Sequence, residues 1–319
     1  MKVWRRTSTN WVLAGLLLVL ILLALCFGAV WIEPVRLLAS PIFRTVRLPR
    51  VLAGAAAGSA LAVSGYLIQS VLANPMASPG LLGVNSGAAV GSALAGLLVP
   101  GLLLAGPLGS LAGAVLAAFL ILFLARRTRS SRLGVVLAGL AISQIFSAAL
   151  DLILVLDDDA IAGYADFKLG SLAGTGYERM LPGLVLIGIG LVLALLFAPE
   201  CELLSLGEEQ ASSLGLHTEK WRGWILFTAA MLAGAAVSFG GLISFVGLLV
   251  PHIVRHFKPA STREAVVGCL LGGADLLLAC DLVGRLVFAP YEVPVGILLS
   301  LLGGPYFLYL LLHARRRHG

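Results

Sequence analysis

Charged side chains are scarce in this sequence. Only 12% of its 319 residues are Asp, Glu, Lys or Arg, whereas 59% are hydrophobic. A soluble domain usually has about 25% charged and about 45–50% apolar residues. The scarcity therefore excludes an ordinary soluble domain. It predicts an all-α polytopic membrane protein, because a helix that crosses a membrane satisfies its own backbone hydrogen bonds.

The residue patterns of several enzyme classes are also missing. There is no G-x-x-x-x-G-K-[ST] nucleotide-binding loop, and no HExxH or catalytic-triad spacing stands out. The cysteines lack metal or disulfide spacing, so we interpret them as small buried hydrophobic residues. They are Cys26, Cys201, Cys269 and Cys280. We therefore expect neither an enzyme active site nor a metal site in this chain.

Long apolar runs indicate the membrane crossings. They lie at about 11–31, 51–72, 81–99, 102–125, 133–156, 181–199, 223–254, 265–288 and 295–313. The first run resembles a signal peptide, but no small-x-small cleavage site follows it, so we interpret it as a helix. An N-terminus inside the cell places the basic loops 126–132 and 200–222 inside and the acidic loop 157–168 outside. The positive-inside rule favours this arrangement. The net charge of +6 lies in such loops and does not indicate nucleic acid.

The run 223–254 must cross the membrane twice if Arg222 and Arg255 both lie inside. Its 32 residues form about 48 Å of helix, but two crossings of a core about 30 Å thick need about 40 residues. At least one leg must therefore be short or broken, and Gly240-Gly241 is the predicted break. The total becomes ten spans with both termini inside. A broken helix of this kind is a candidate for the transport pathway.

Three arginines follow the first predicted span, in the stretch RTVRLPR. Arg44, Arg47 and Arg50 are thus predicted to lie outside, against the positive-inside tendency. One explanation is contact with lipid head groups. The other is a docking surface for an acidic partner, since arginine pairs well with carboxylates.

Two further stretches carry local signals. In NPMASPGLLGVNSGAAVG, two prolines precede Gly83, Gly87 and Gly91, whose four-residue spacing predicts close helix packing. In the loop 200–222, Ser205 and Glu208 form an S-x-x-E capping box, and Gly215 fits a C-terminal cap. This predicts a short cytoplasmic helix over roughly 206–214, suited to docking a cytoplasmic subunit.

Charged residues within the apolar runs need partners. Asp281 and Arg285 are four residues apart and are predicted to pair. Asp151 and Asp275 could each serve in a proton relay, but we expect them to face the protein interior with a hydrogen-bond partner. His252 has no second ligand nearby.

Six stretches together carry a resemblance to a known family. They are RLPR, NPMASPGLLGVNSGAA, GEEQASSLG, GLISFVGLLVPHIVR, DLVGR and EVPVGILLSLLGGPYF, and the likeness runs from about residue 11 to the C-terminus. The chain resembles the FecCD-type permeases, the membrane subunits of ABC importers for iron–siderophore complexes, haem and cobalamin. The resemblance implies one permease domain over 1–319, with the type II ABC importer fold of ten transmembrane helices in the cytoplasmic (inner) membrane.

The resemblance also implies roles for individual residues. Arg47, Arg50 and Arg285 match family arginines that dock the substrate-binding protein. Asn74 and Met76 match the cytoplasmic gate. Residues in 205–216 match the segment that couples to the ATPases: Ser205, Leu206, Gly207, Glu208, Ala211, Leu214 and Gly215.

The partners follow from the same resemblance. They are a second permease subunit, identical or related; two cytoplasmic ABC ATPases; and an external substrate-binding protein, periplasmic or lipid-anchored. ATP and Mg would be held by the ATPases, so no cofactor is expected in this chain. The substrate stays open among iron–siderophore, haem and cobalamin. One rival is a secondary transporter, driven by an ion gradient, that uses Asp151 or Asp275. Another is a membrane scaffold or receptor that transports nothing.

Overall fold

The computed structural model describes residues 4–28, 40–127, 132–257, 259–287, 289 and 291–314. Residues 29–31 at the end of the first apolar run and residues 128–131 of the basic loop 126–132 lie outside these ranges, as do the C-terminal arginines 315–317. The α-helices are α1 (Trp4–Cys26), α2 (Leu48–Val71), α3 (Val84–Leu98), α4 (Ala105–Arg127), α5 (Arg132–Leu156), α6 (Asp158–Leu169), α7 (Tyr177–Leu196), α8 (Ala198–Ser205), α9 (Glu208–Ser213), α10 (Thr218–Gly240), α11 (Val246–His256), α12 (Thr262–Leu286) and α13 (Val295–Ala314).

The long helices agree with the prediction of a membrane protein. Six of them, α1, α2, α5, α7, α10 and α12, are long and apolar enough to cross a membrane, counting the described residues alone. Three more apolar helices contain shorter stretches, and α11 has only 11 residues. These ten helices stand at the positions of the ten predicted crossings. The number of crossings itself stays a prediction, because length and composition qualify only six.

Helix α2 forms the centre of the bundle and is buried along most of its length. Two of its glycines lie against neighbouring backbones. A Cβ atom at Gly58 would lie 2.2 Å from the carbonyl oxygen of Gly273 on α12, and one at Gly65 would lie 1.9 Å from that of Gly247 on α11. Only glycine permits such an approach, so these positions bring α11 and α12 into contact with α2.

The predicted glycine packing is found between α3 and α4. A Cβ atom at Gly87 would lie 2.5 Å from the carbonyl oxygen of Gly113, and one at Gly91 would lie 2.0 Å from that of Gly109. The prediction is thus confirmed for Gly87 and Gly91. Gly83 has another role: it precedes α3 with φ +63°, and a Cβ there would meet Ser143 of α5 at 3.1 Å.

The long run 223–254 breaks where the sequence predicted. Helix α10 ends at Gly240, Gly241 has φ +70°, and α11 begins at Val246. The amide of Leu242 donates to the carbonyl of Phe167, at the end of α6, over 2.8 Å. The break therefore lies against α6, and α11 starts as a separate short helix.

A glutamine of α2 replaces a hydrogen bond that α11 cannot make for itself. Pro251 has no N–H, so the carbonyl of Gly247, four residues earlier, lacks its helical donor. The Nε2 atom of Gln69 donates to this carbonyl over 3.1 Å. Gln69 is 1% exposed, so the bond forms away from solvent.

All four cysteines are free and buried, which confirms their interpretation as small core residues. Cys201 lies in α8, outside the candidate spans, and burial raises the pKa of its thiol to about 12. A thiol in that state is not a nucleophile at neutral pH.

Candidate functional sites at the two ends of the bundle

One end of the bundle, here called the arginine end, holds an ionic cluster. Four of its members are buried and Glu292 is partly exposed; the buried ones are Arg47, Arg50, Asp281 and Arg285. Arg50 contacts Asp281 through Nε at 3.0 Å and Nη2 at 2.9 Å, and its Nη1 lies 2.7 Å from Glu292 Oε2. The Nε of Arg285 lies 3.1 Å from the second carboxylate oxygen of Asp281. The predicted pairing of Asp281 with Arg285 is confirmed, and Asp281 also holds Arg50.

Two of these arginines cap the end of α1. Arg47 Nη1 donates to the carbonyl of Leu25 over 2.7 Å and also to that of Cys26. Arg285 Nη1 donates to the carbonyl of Ala24 over 3.3 Å. The last carbonyls of a helix have no donor within the helix, and cations stabilise that end of the helix dipole. The guanidinium groups thus tie α1 to the helices beside it.

The arginines that the resemblance assigned to docking are buried. Arg47, Arg50 and Arg285 are 5%, 7% and 4% exposed, whereas Arg44 is exposed and the Glu292 side chain is 38% exposed. A docking partner could therefore reach Arg44 and Glu292 without any rearrangement. It could reach Arg50 only if a present partner moved. The docking role of the three arginines stays a prediction.

The opposite end of the bundle carries the predicted gate residues. Helix α2 ends at Val71, and Ala73 takes a left-handed conformation with φ +46°. The Oδ1 atom of Asn74 accepts a hydrogen bond from the amide of Met76 over 2.9 Å, which forms a tight turn. Asn74 is exposed and Met76 is half-buried. The turn orders this loop, and its role as a gate stays a prediction.

The predicted cytoplasmic helix is present but shorter than expected, and its predicted capping box is wrong. Helix α9 begins at Glu208, after Gly207, with no side-chain cap. Ser205 instead ends α8, and its hydroxyl donates to the carbonyl of Glu202 over 2.7 Å. The box failed because residues 198–205 form a helix of their own. Pro199 at its start and Glu200 in its first turn were the signals for that helix.

The predicted C-terminal cap of α9 is confirmed. Gly215 has φ +84°, its amide donates to the carbonyl of Ser212, and the amide of Leu216 donates to that of Ala211. This is the Schellman arrangement that glycine favours. Ala211 is fully buried, whereas Leu206 and Leu214 are 53% and 63% exposed. The segment therefore has one anchored side and two exposed leucines.

Two polar contacts that the sequence did not predict join this segment to long helices. The carboxylate of Glu208 forms a salt bridge with Arg222 in the first turns of α10. The Oε2 atom of Glu202 accepts a hydrogen bond from the amide of Thr262, the first residue of α12, over 3.3 Å. These contacts connect α9 to α10 and α8 to α12.

Asp151 and Asp275, the two aspartates within the apolar runs, were both expected to face the interior with a hydrogen-bond partner, and each departs from that prediction. Asp151 is exposed, so the expectation that it faces the interior is wrong. Asp275 is 5% exposed, as expected of an interior residue. Within the described residues, however, neither of its carboxylate oxygens has a hydrogen-bond partner.

Known proteins resemble this chain over nearly its whole length. The FecCD transport family matches residues 16–313. The hemin transport system permease protein HmuU of Yersinia pestis is 38% identical over 304 residues, which cover 92% of this chain and 90% of HmuU. The vitamin B12 import system permease protein BtuC of Klebsiella pneumoniae is 36% identical over 322 residues, covering 98% of this chain and 96% of BtuC.

A solved structure shows the same fold. It is an inward-facing conformation from a transporter assigned to the metal-chelate type of ABC transporter. Its TM-score is 0.86 at 27% identity, and the match covers 96% of this chain and 99% of that one. Since the family match spans nearly the whole sequence, and relatives above 30% identity are covered almost end to end, the chain belongs to the FecCD transport family.

Proposed function

We propose that this chain is the membrane-spanning permease subunit of an ATP-driven ABC importer in the cytoplasmic membrane, with both termini in the cytoplasm. Its substrate would be a bulky metal chelate, with iron–siderophore first and haem or cobalamin next. The observation that carries the proposal is the segment α8–α9, which presents Leu206 and Leu214 to solvent and is anchored to α10 and α12. A segment of this kind could dock a separate ATPase through its exposed leucines. The sequence itself has no nucleotide-binding loop.

The mechanism is mechanical. ATP and Mg act on the partner ATPases, and their closure moves α8–α9 at the cytoplasmic end. Glu208 passes this movement to α10, which leads to the break at Gly240, and Glu202 passes it to α12, which leads to the arginine end. Asn74 and Met76 form the gate beside the cytoplasmic end of α2. No covalent step is assigned to this chain.

A second permease subunit completes the pathway in this proposal. A cavity of about 260 Å³ opens among α3, α4 and α6, with Ser92 and Tyr164 in its lining. Drug-sized ligands alone occupy pockets of about 300–1,000 Å³. A haem-sized chelate therefore needs more room than this cavity offers, which favours a pathway between two subunits.

The arginine end is proposed to face outside and to receive acidic residues of the substrate-binding protein through Arg47, Arg50 and Arg285. Because Arg47 and Arg285 also cap α1, reversing their charge would disturb the fold as well as docking. Arg50→Gln is the cleaner test, since the bonds of Arg50 go to carboxylates.

The experiment that tests the function is co-purification from the native membrane with mass spectrometry of everything retained. We expect an ABC ATPase, either this chain alone or a second related permease, and a substrate-binding protein whose ligand can be assayed as iron chelate, haem or cobalamin. Uptake should be sensitive to vanadate. A chain that purifies alone and supports ion-driven uptake would overturn the proposal, and Asp275 would then become the site to test.

A further inference from the structure

Residues 291–293, between α12 and α13, fold back against the last turns of α12 at the arginine end. The amide of Val293 donates to the carbonyl of Gly284 over 3.1 Å. A Cβ atom at Gly284 would lie only 2.6 Å from the carbonyl oxygen of Val293, so glycine is needed for this contact. The fold-back places the neighbouring Glu292 against Arg50, with 2.7 Å between Oε2 and Nη1.

The two carboxylates that hold Arg50 are not equivalent. Asp281 is 3% exposed and also binds Arg285, so it is fixed on two sides. The Glu292 side chain is 38% exposed, and within the described residues its carboxylate bonds only to Arg50. Ion pairs open to solvent contribute little to stability, whereas a buried charge left unpaired is costly. Glu292 is therefore the partner that can leave, provided another carboxylate takes its place.

We propose that Glu292 is an internal stand-in for an acidic residue of the docking partner: it covers Arg50 in the undocked chain and is displaced when the partner's carboxylate binds. This rests on the proposed function, in which the arginine end docks the substrate-binding protein. Exchange of one carboxylate for another keeps the buried guanidinium paired throughout. Docking then forms and breaks one ion pair at a time, which suits a partner that must arrive and leave in each transport cycle.

The first test measures how well Glu292 covers Arg50, and needs no partner protein. The purified transporter is treated with phenylglyoxal, which modifies arginine, and modification of Arg50 is followed by peptide mass spectrometry. Glu292→Ala should raise the modification rate of Arg50 by about fivefold. This factor corresponds to the upper end of the stabilisation that a solvent-exposed ion pair provides. Gly284→Ala should do the same while keeping every charge, because its Cβ pushes Val293 away.

The control is Glu178→Ala. Glu178 is an exposed acid in the first turn of α7, at the same end of the bundle, and it should leave the Arg50 rate unchanged. Equal protection of Arg50 in wild type, Glu292→Ala and Gly284→Ala would overturn the proposal. One variant removes the carboxylate and the other displaces Val293, so if one of them folds poorly, the other still tests the proposal.

The second test measures affinity for the co-purified substrate-binding protein. Glu292→Gln should bind it about fivefold more tightly, whereas Glu178→Gln should bind as wild type does. If Arg50→Gln abolishes docking but Glu292→Gln changes nothing, the stand-in role is wrong and the docking role holds. If Arg50→Gln docks normally, the proposed docking role of Arg50 is wrong, and displacement of Glu292 falls with it.

Discussion

At the residue scale, the hydrogen bond from Gln69 to Gly247 shows how a side chain of one helix compensates for a proline in another. Pro251 removes the donor for the Gly247 carbonyl, and Gln69 supplies a replacement from α2 in a buried place. Gln69→Leu should leave that carbonyl unpaired and destabilise the protein by about 1–3 kcal/mol. A lower melting temperature of the purified protein in detergent would show this.

The control for Gln69 lies within the same pair of helices. Pro251→Ala restores a backbone donor to Gly247, so Gln69→Leu should cost much less in that background. The exposed Gln210→Leu should change nothing. An equal loss in the wild-type background and in the Pro251→Ala background would mean that Gln69 acts by packing rather than through its hydrogen bond.

At the element scale, the packing of α3 on α4 depends on glycine positions that touch backbone. Gly91→Ala should force the two helices apart, because its Cβ would lie 2.0 Å from the carbonyl oxygen of Gly109. Gly96→Ala on the same helix meets nothing within 4 Å and should be neutral or slightly stabilising. Melting temperatures of the two variants test this, and an equal effect of both would refute close contact at Gly91.

The segment α8–α9, which we propose couples to the ATPases, gives a second prediction at this scale. The amide of Ala211 donates to the carbonyl of Gly207 over 3.0 Å, and its side chain is fully buried. Ala211→Pro removes that donor and should break α9, so that ATPase activity no longer drives uptake while the spans stay folded. Thr218→Pro is the matched control, since proline is favoured at the first position of a helix such as α10. Normal uptake by Ala211→Pro would refute the coupling role.

At the scale of the whole molecule, the positive-inside rule predicts the orientation in the membrane from where the basic loops lie. The four native cysteines are buried, so single introduced cysteines report cleanly. Glu178→Cys, at the arginine end, should react with an impermeant maleimide in intact cells or spheroplasts. Ser213→Cys, on α9, should react only after the membrane is opened. The reverse pattern would place the arginine end in the cytoplasm and remove it as a docking surface.

The sequence predicted best what depends on neighbouring residues. The apolar runs, the break at Gly240, the glycine packing of Gly87 and Gly91, and the cap at Gly215 all confirm local patterns. The capping box at Ser205 failed although it too is local, because a second helix competed for the same residue. The prediction that Asp151 faces the interior failed for another reason: an apolar run does not indicate which face of its helix packs against other helices.

By itself, then, the sequence determined that this chain is an all-helical membrane protein, where its long helices lie, and which family it resembles, because hydropathy and turn chemistry act over a few residues. Only the tertiary structure decided which polar groups pair when they lie far apart in the chain. Arg50 and Asp281 are 231 positions apart, Gln69 and Gly247 are 178 apart, and Glu202 and Thr262 are 60 apart. Such pairs form where packed helices bring distant residues together, and the spacing of residues along the chain does not predict these contacts.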